Sequence, residues 1–139
     1  MNQFDGSLSA RGAQALYAYA LAVDEHDALA LGALIVDNVS LTRIDGTRQG
    51  REAFLSFYRD FWSSSVHRSL HAVTNVRARP SSNGTILVDS YFSATIIDAD
   101  GSRIVVGRYS DSFVDDGALF RLVHKRITID GVLKISTTR

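Results

Sequence analysis

The second half of the chain is cut by three short turn sequences, Pro80-Ser81-Ser82-Asn83-Gly84, Asp98-Ala99-Asp100-Gly101 and Asp115-Asp116-Gly117. Pro, Asn, Asp and Gly supply the backbone angles that tight reversals require. The stretches between them are long and rich in β-branched and aromatic residues. Residues 66–79, 85–98, 102–114 and 119–129 are therefore expected to form strands of an antiparallel meander. A sheet of that kind has one face that another layer must cover. The first half of the chain supplies the cover, because its apolar residues recur at helical spacing. Ser7 or Ser9 can cap a helix running to Asp24, with Leu16, Ala20, Val23 and Asp27 on one stripe. A short helix over residues 28–34 comes next. A strand over 38–44 then alternates Val39, Leu41 and Arg43 with Ser40, Thr42 and Ile44, and Asp45-Gly46 turns the chain. A third helix over 51–62 places Phe54, Phe57, Tyr58, Phe61 and Trp62 on one face, either closing the core or forming the lid of a cavity. Helices first and strands after, with no linker or repeat between them, is the order of an α+β domain.

Bulk properties narrow the function classes. The 139 residues, 45% of them hydrophobic, suffice for one domain spanning 1–139 with a core of its own. Fifteen basic and fifteen acidic side chains leave no net charge, so the footprint of a nucleic-acid binder or an anionic-membrane binder is missing. There is no cysteine, and residues 1–10 lack the basic start and apolar run of a secretory signal, which makes a cytoplasmic protein the expectation.

Little in the sequence carries chemistry apart from one pair. There is no Gly-rich phosphate loop and no zinc-ligand cluster, so neither a cofactor nor a metal is expected. Asp24 closes the first helix, and His71 lies on the first long strand. Delivered to one cavity, the carboxylate would accept from one imidazole nitrogen, fix the tautomer and leave the other nitrogen to take a proton. The same pair could also be a purely structural link between helix and sheet. Side chains two apart on a strand share a face. His67, Ser69, His71, Val73 and Asn75 are grouped in this way, as are Val105, Gly107, Tyr109, Asp111 and Phe113, and Phe120, Leu122, His124 and Arg126. Asn75, Tyr109 and Arg126 thereby become candidate substrate contacts, together with Phe54 and Tyr58 of the aromatic helix. Lys125 competes with Arg126 if a bulge shifts the last strand. Tyr17 lies seven residues before Asp24, almost directly below it on the helix, and Tyr19 lies five before. Either could offer a hydroxyl to a leaving group. Asp27 reads as the cap of the second helix, His67 as a surface residue, and Gly107 as a point of close approach.

Four segments together resemble the SnoaL-like members of the NTF2-like superfamily over nearly the whole chain. They are Tyr19-x4-Asp24-x2-Asp27, Gly50-Arg51-Glu52-Ala53, His71-x-x-Thr74-Asn75 and Gly107-Arg108-Tyr109-x-Asp111. The resemblance implies a cone-shaped α+β fold, with a curved, mostly antiparallel sheet wrapped around three N-terminal helices and enclosing one pocket. Within the family the motifs are most similar to those of the dehydrochlorinase, scytalone dehydratase and bile-acid dehydratase group, whose Asp and His match Asp24 and His71. A cofactor-free lyase or isomerase acting on a small hydrophobic or cyclic organic substrate is implied, in a homo-dimer or homo-trimer built on the outer sheet face. Other members imply other outcomes: a polyketide-cyclase-like enzyme, a non-catalytic small-molecule binder, or an accessory protein like the small subunit of ring-hydroxylating dioxygenases.

Overall fold

The computed structural model describes residues 4–136. Helix α1 (Gly6–Asp24) is followed by α2 (Ala28–Ala33), β1 (Ile35–Arg43), β2 (Gly46–Gln49), α3 (Arg51–Trp62), β3 (Val66–Pro80), β4 (Ile86–Asp98), β5 (Arg103–Asp115) and β6 (Phe120–Lys134). The six strands form one open, curved sheet in the order β2-β1-β6-β5-β4-β3, with the N-terminal helices on its inner face. The β1–β6 pair is parallel and the other neighbours are antiparallel.

Several boundaries differ from the sequence expectation. The cap of α1 is Asp5, whose carboxylate accepts from the backbone N–H groups of Ser7 (2.9 Å) and Leu8 (3.1 Å). Ser9 instead accepts from the Ala78 N–H at 2.8 Å and ties α1 to β3. Strand β1 starts at Ile35 and carries an irregularity before Ser40, and β6 runs on to Lys134. The edge strand β2 has only Gly-Thr-Arg-Gln and no apolar alternation to announce it.

Local chemistry fixes where α1 stops, and this decides where Asp24 lies. His26 adopts a left-handed backbone (φ 56°), the Asp27 N–H reaches the Ala22 carbonyl (2.9 Å), and the His26 N–H reaches that of Val23 (3.2 Å). These are the two bonds of a Schellman ending. Asp27 then caps α2 by accepting from the Ala30 N–H at 3.0 Å. Along its length α1 follows β3, from the Asp5 N–H on the Ala78 carbonyl at one end to Asp24 against Ser69 and His71 at the other.

Helix α3 is held over the sheet by Arg51. Its guanidinium donates to the Gly32 carbonyl (2.7 Å), which the end of α2 leaves open, and to the Ile35 carbonyl (3.0 Å) and the Asp37 carboxylate (3.0 Å) of β1. The aromatic face of α3 is divided. Phe54 is wholly buried in the core with Leu16, Leu31 and Leu41, a burial worth on the order of 2–3 kcal/mol. Phe57, Tyr58 and Phe61 face a cavity instead. No helix among the described residues is long and apolar enough to cross a membrane.

Candidate functional site

The cavity lies between α1, α3 and the concave sheet face and has a volume of about 280 Å³. Its walls are mostly apolar, with Val23, Phe57, Phe61, Phe92, Ala94, Ile96, Val105, Ile127, Ile129 and Val132. The polar minority is His71, three tyrosines (Tyr19, Tyr58, Tyr109) and two arginines (Arg43, Arg103).

Asp24 and His71 meet at the wall. His71 Nδ1 lies 2.6 Å from Asp24 Oδ1, the His71 backbone N–H donates to Oδ2 (2.7 Å), and the Ser69 hydroxyl donates to Oδ1 (2.8 Å). Burial pushes the Asp24 carboxyl up, but these hydrogen bonds outweigh it, and its pKa falls below the ordinary carboxylate value. An ionised carboxylate only accepts, so the His71 nitrogen facing it carries the hydrogen. In the neutral imidazole Nε2 is then the bare nitrogen, and it has no hydrogen-bond partner among the described residues. His71 itself is largely enclosed, with its side chain 12% exposed. This arrangement can accept a proton from a molecule in the cavity and hold the resulting imidazolium against Asp24.

Behind this wall lies a second polar cluster. The Tyr19 and Tyr58 hydroxyls are 2.5 Å apart, and Tyr109 stacks on Phe92 at 4.4 Å. Burial raises all three phenol pKa values, so the rings act as neutral hydroxyls. Lys125 and Asp111 form a wholly buried ion pair (3.1 Å), with the ammonium over the faces of Tyr109 (3.4 Å to the centroid) and Tyr19 (4.3 Å). Burial pushes the Asp111 carboxyl up to about 6 and the Lys125 ammonium down.

Of the residues singled out from sequence, Asp24, His71, Tyr19, Tyr58 and Tyr109 converge here, and four do not. Tyr17 is 56% exposed. It and Asp24 both lie about 100–120° from the middle of the buried stripe of α1. Asp24 is covered because Ser69 and His71 reach it, whereas Tyr17 is left in solvent. Asn75 is exposed at a bulge between Thr74 and Arg77, with φ of 56°, and the bulge ends the parity that linked it to His71. His67, read as a surface residue, is exposed as expected, beside another irregularity between Val66 and Arg68. Arg126 points to the outer sheet face. The β5–β6 register slips after Leu122, so Lys125 and Ile127 face inward, while His124 turns outward to Ser40 (2.5 Å). Phe54 belongs to the core and does not line the cavity.

Sequence reasoning did not single out Ser69, Asp111, Arg43 or Arg103, and it left Lys125 as the alternative to Arg126. The signals were present for three of them: Ser69 shares a strand face with His71, Arg43 shares one with Leu41, and Asp111 shares one with Tyr109, where a buried carboxylate requires a cation. Gly107 is a close approach, since a Cβ there would run into the Thr128 carbonyl and lie 2.8 Å from the Phe92 ring. Among the described residues, no group of three His, Cys, Asp or Glu side chains comes together as a metal site.

Comparison with known proteins agrees with this fold. The family model described as SnoaL-like domain matches residues 11–139. No curated protein matches the sequence. Among solved structures, LinA superposes with a TM-score of 0.82 at 15% identity, covering 95% of this chain and 92% of LinA. The hexachlorocyclohexane dehydrochlorinase LinA-type3 of Novosphingobium barchaimii gives 0.81 at 15% identity, covering 95% and 92%. A scytalone dehydratase-like protein of Novosphingobium aromaticivorans gives 0.83 at 15% identity, covering 95% and 90%. At such identities these likenesses establish the fold.

Proposed function

Because the chain belongs to the SnoaL-like domain family, we propose that it is a cofactor-independent lyase or isomerase that abstracts a C–H proton from a small hydrophobic substrate with an Asp24–His71 dyad. The observation that carries this reading is the 2.6 Å contact of His71 Nδ1 with Asp24 Oδ1 at the wall of an apolar cavity. His71 Nε2 takes the proton. Asp24 fixes the tautomer beforehand and stabilises the imidazolium afterwards. A substrate that fills the cavity between aromatic walls displaces water, so the few polar groups act on it more strongly than they would in solvent. The Tyr19–Tyr58 hydroxyl pair can donate one hydrogen outward to an oxygen or leaving group on which negative charge develops. Elimination, isomerisation and aldol ring closure share this proton abstraction and differ in where the C–H electron pair goes: into a double bond as a leaving group departs with its own pair, through an enolate that is reprotonated at another carbon, or onto a carbonyl carbon.

The test follows the shared step. Small cyclic ketones and β-substituted carbonyl compounds are incubated with the protein in D₂O, and exchange of the acidic C–H is followed by proton NMR. Wild type should catalyse exchange or elimination on a subset of the panel. His71→Gln and Asp24→Asn should lower the rate on the order of 10²–10⁴-fold, the size of a general-base contribution. Exchange equally fast in His71→Gln would remove the proposed base.

A further inference from the structure

We propose that the molecule this cavity takes is an organic anion, a carboxylate on an apolar skeleton, with its charge held by Arg43. The inference rests on the C–H abstraction reading only for the orientation of the ligand, since binding of the anion requires no turnover. Apart from the neutral tyrosines, three ionisable side chains line the cavity, His71, Arg103 and Arg43. His71 is matched to Asp24, and Arg103 is matched to Asp98 at 2.9 Å. Arg43 is the exception. It is half-buried and lies over the face of Phe57 (5.0 Å to the centroid), and among the described residues no carboxylate is within ion-pair distance of it. Asp45, whose carboxyl responds to Arg43, is already committed to both terminal nitrogens of Arg48 at 3.1 and 2.9 Å. The uncompensated charge of the cavity is therefore positive, in a wall that is otherwise aromatic and aliphatic. A guanidinium so placed presents a fork of donors that matches a carboxylate.

A second donor stands beside it. Tyr58 lines the same cavity, its ring edge-on at 5.0 Å to the Phe57 ring that Arg43 covers, and its hydroxyl shares a hydrogen bond with Tyr19. One hydroxyl hydrogen of that pair is free to be donated to an anion bound at Arg43. The topology then orients the ligand. Arg43 ends β1 and His71 lies on β3, so the two enter the cavity from opposite sides of the curled sheet. The carboxylate is held on the β1 side, and the C–H faces the imidazole on the β3 side.

The test is binding without chemistry. Benzoate and cyclohexanecarboxylate are titrated against benzamide and cyclohexanecarboxamide at pH 8, with dissociation constants taken from NMR shifts of cavity residues. Each carboxylate should bind at least about tenfold more tightly than its amide, as a charge-assisted contact implies. That preference should vanish in Arg43→Met and Arg43→Gln and survive in Arg43→Lys, with folding of each variant checked by circular dichroism. It should also survive in Asp24→Asn, so loss of the C–H abstraction reading leaves this result standing. Equal binding of acids and amides to wild type, or a preference that persists in Arg43→Met, overturns the proposal. Sodium bromide binding in an Arg43-dependent way while carboxylates bind no better than amides also overturns it, because Arg43 would then receive a departing halide.

Discussion

Replacing Lys125 with Met tests the buried ion pair behind the cavity. Lys125 and Asp111 are both wholly buried, and Nζ is 3.3 and 3.1 Å from the two carboxylate oxygens. Met keeps an apolar stem of similar length and removes the charge, which strands Asp111 in the core. Removing one partner of a buried pair costs about 3–5 kcal/mol, a large share of the 5–15 kcal/mol that roughly spans the stability of most domains. Asp111 can escape part of this by taking up a proton. Burial already pushes its pKa to about 6 while Lys125 opposes the shift, so losing Lys125 raises it further. A carboxyl whose pKa is higher folded than unfolded binds protons more tightly in the folded state, and stability falls as pH rises through that range. The cost of Lys125→Met should therefore be greatest near pH 8 and smaller near pH 5. Adding Asp111→Leu removes the stranded carboxyl, and the double variant should return to within about 2 kcal/mol of wild type. Urea unfolding of the four proteins of this cycle at both pH values measures each term. A single-variant cost below about 1 kcal/mol at pH 8 would refute the reasoning. So would a double variant no more stable than Lys125→Met.

Other substitutions probe separate parts of the structure. Ser69→Ala removes one of the three donors to Asp24 and should cost about 1–3 kcal/mol in urea unfolding; no measurable loss would mean that water replaces the hydroxyl. Gly107→Ala should lower stability by about 1–3 kcal/mol, because the Thr128 carbonyl that meets the new methyl is backbone and cannot swing aside; an unchanged Tm would contradict that contact. The Ser65 hydroxyl, the Asp100 N–H and Arg103 hold Asp98 at about 2, and Arg11 and the Gly117 N–H hold Asp115 at about 2. Both are depressed below the unfolded value, so their contribution is present above about pH 4 and is lost as pH falls toward 2. Asp98→Asn and Asp115→Asn should each flatten the acid limb of a stability-against-pH curve, and an unaltered limb would count against these bonds.

Much of this architecture is legible in the sequence because it is written in turns and periods. The Pro80–Gly84, Asp98–Gly101 and Asp115–Gly117 reversals delimit the long strands, and the apolar stripes mark α1 and α3. Asp24 and His71 are legible as a pair because a helix end and a strand face each fix a direction. Parity fails where a bulge inserts one residue. The slip after Leu122 exchanges Lys125 for Arg126, and the bulge after Thr74 turns Asn75 outward. Neither bulge has a sequence signature of its own, since no glycine stands at either. Tyr17 misleads for another reason, because helical phase reports angular position and not how far the sheet extends over it. Arg43 shares the strand face of the wholly buried Leu41, so its inward direction is visible in the alternation. That no carboxylate among the described residues pairs with it is a tertiary fact.

The most direct test of the dyad is the tautomer of His71, read from ¹⁵N shifts and ring-proton correlations in uniformly labelled protein at pH 8. With Asp24 ionised and accepting from Nδ1–H, His71 should show a protonated Nδ1 and a bare Nε2, and Asp24→Asn should lose that fixed pattern. A wild-type His71 carrying its hydrogen on Nε2 would leave its lone pair on Nδ1, turned to Asp24 and away from a substrate proton, and would contradict the dyad as a base.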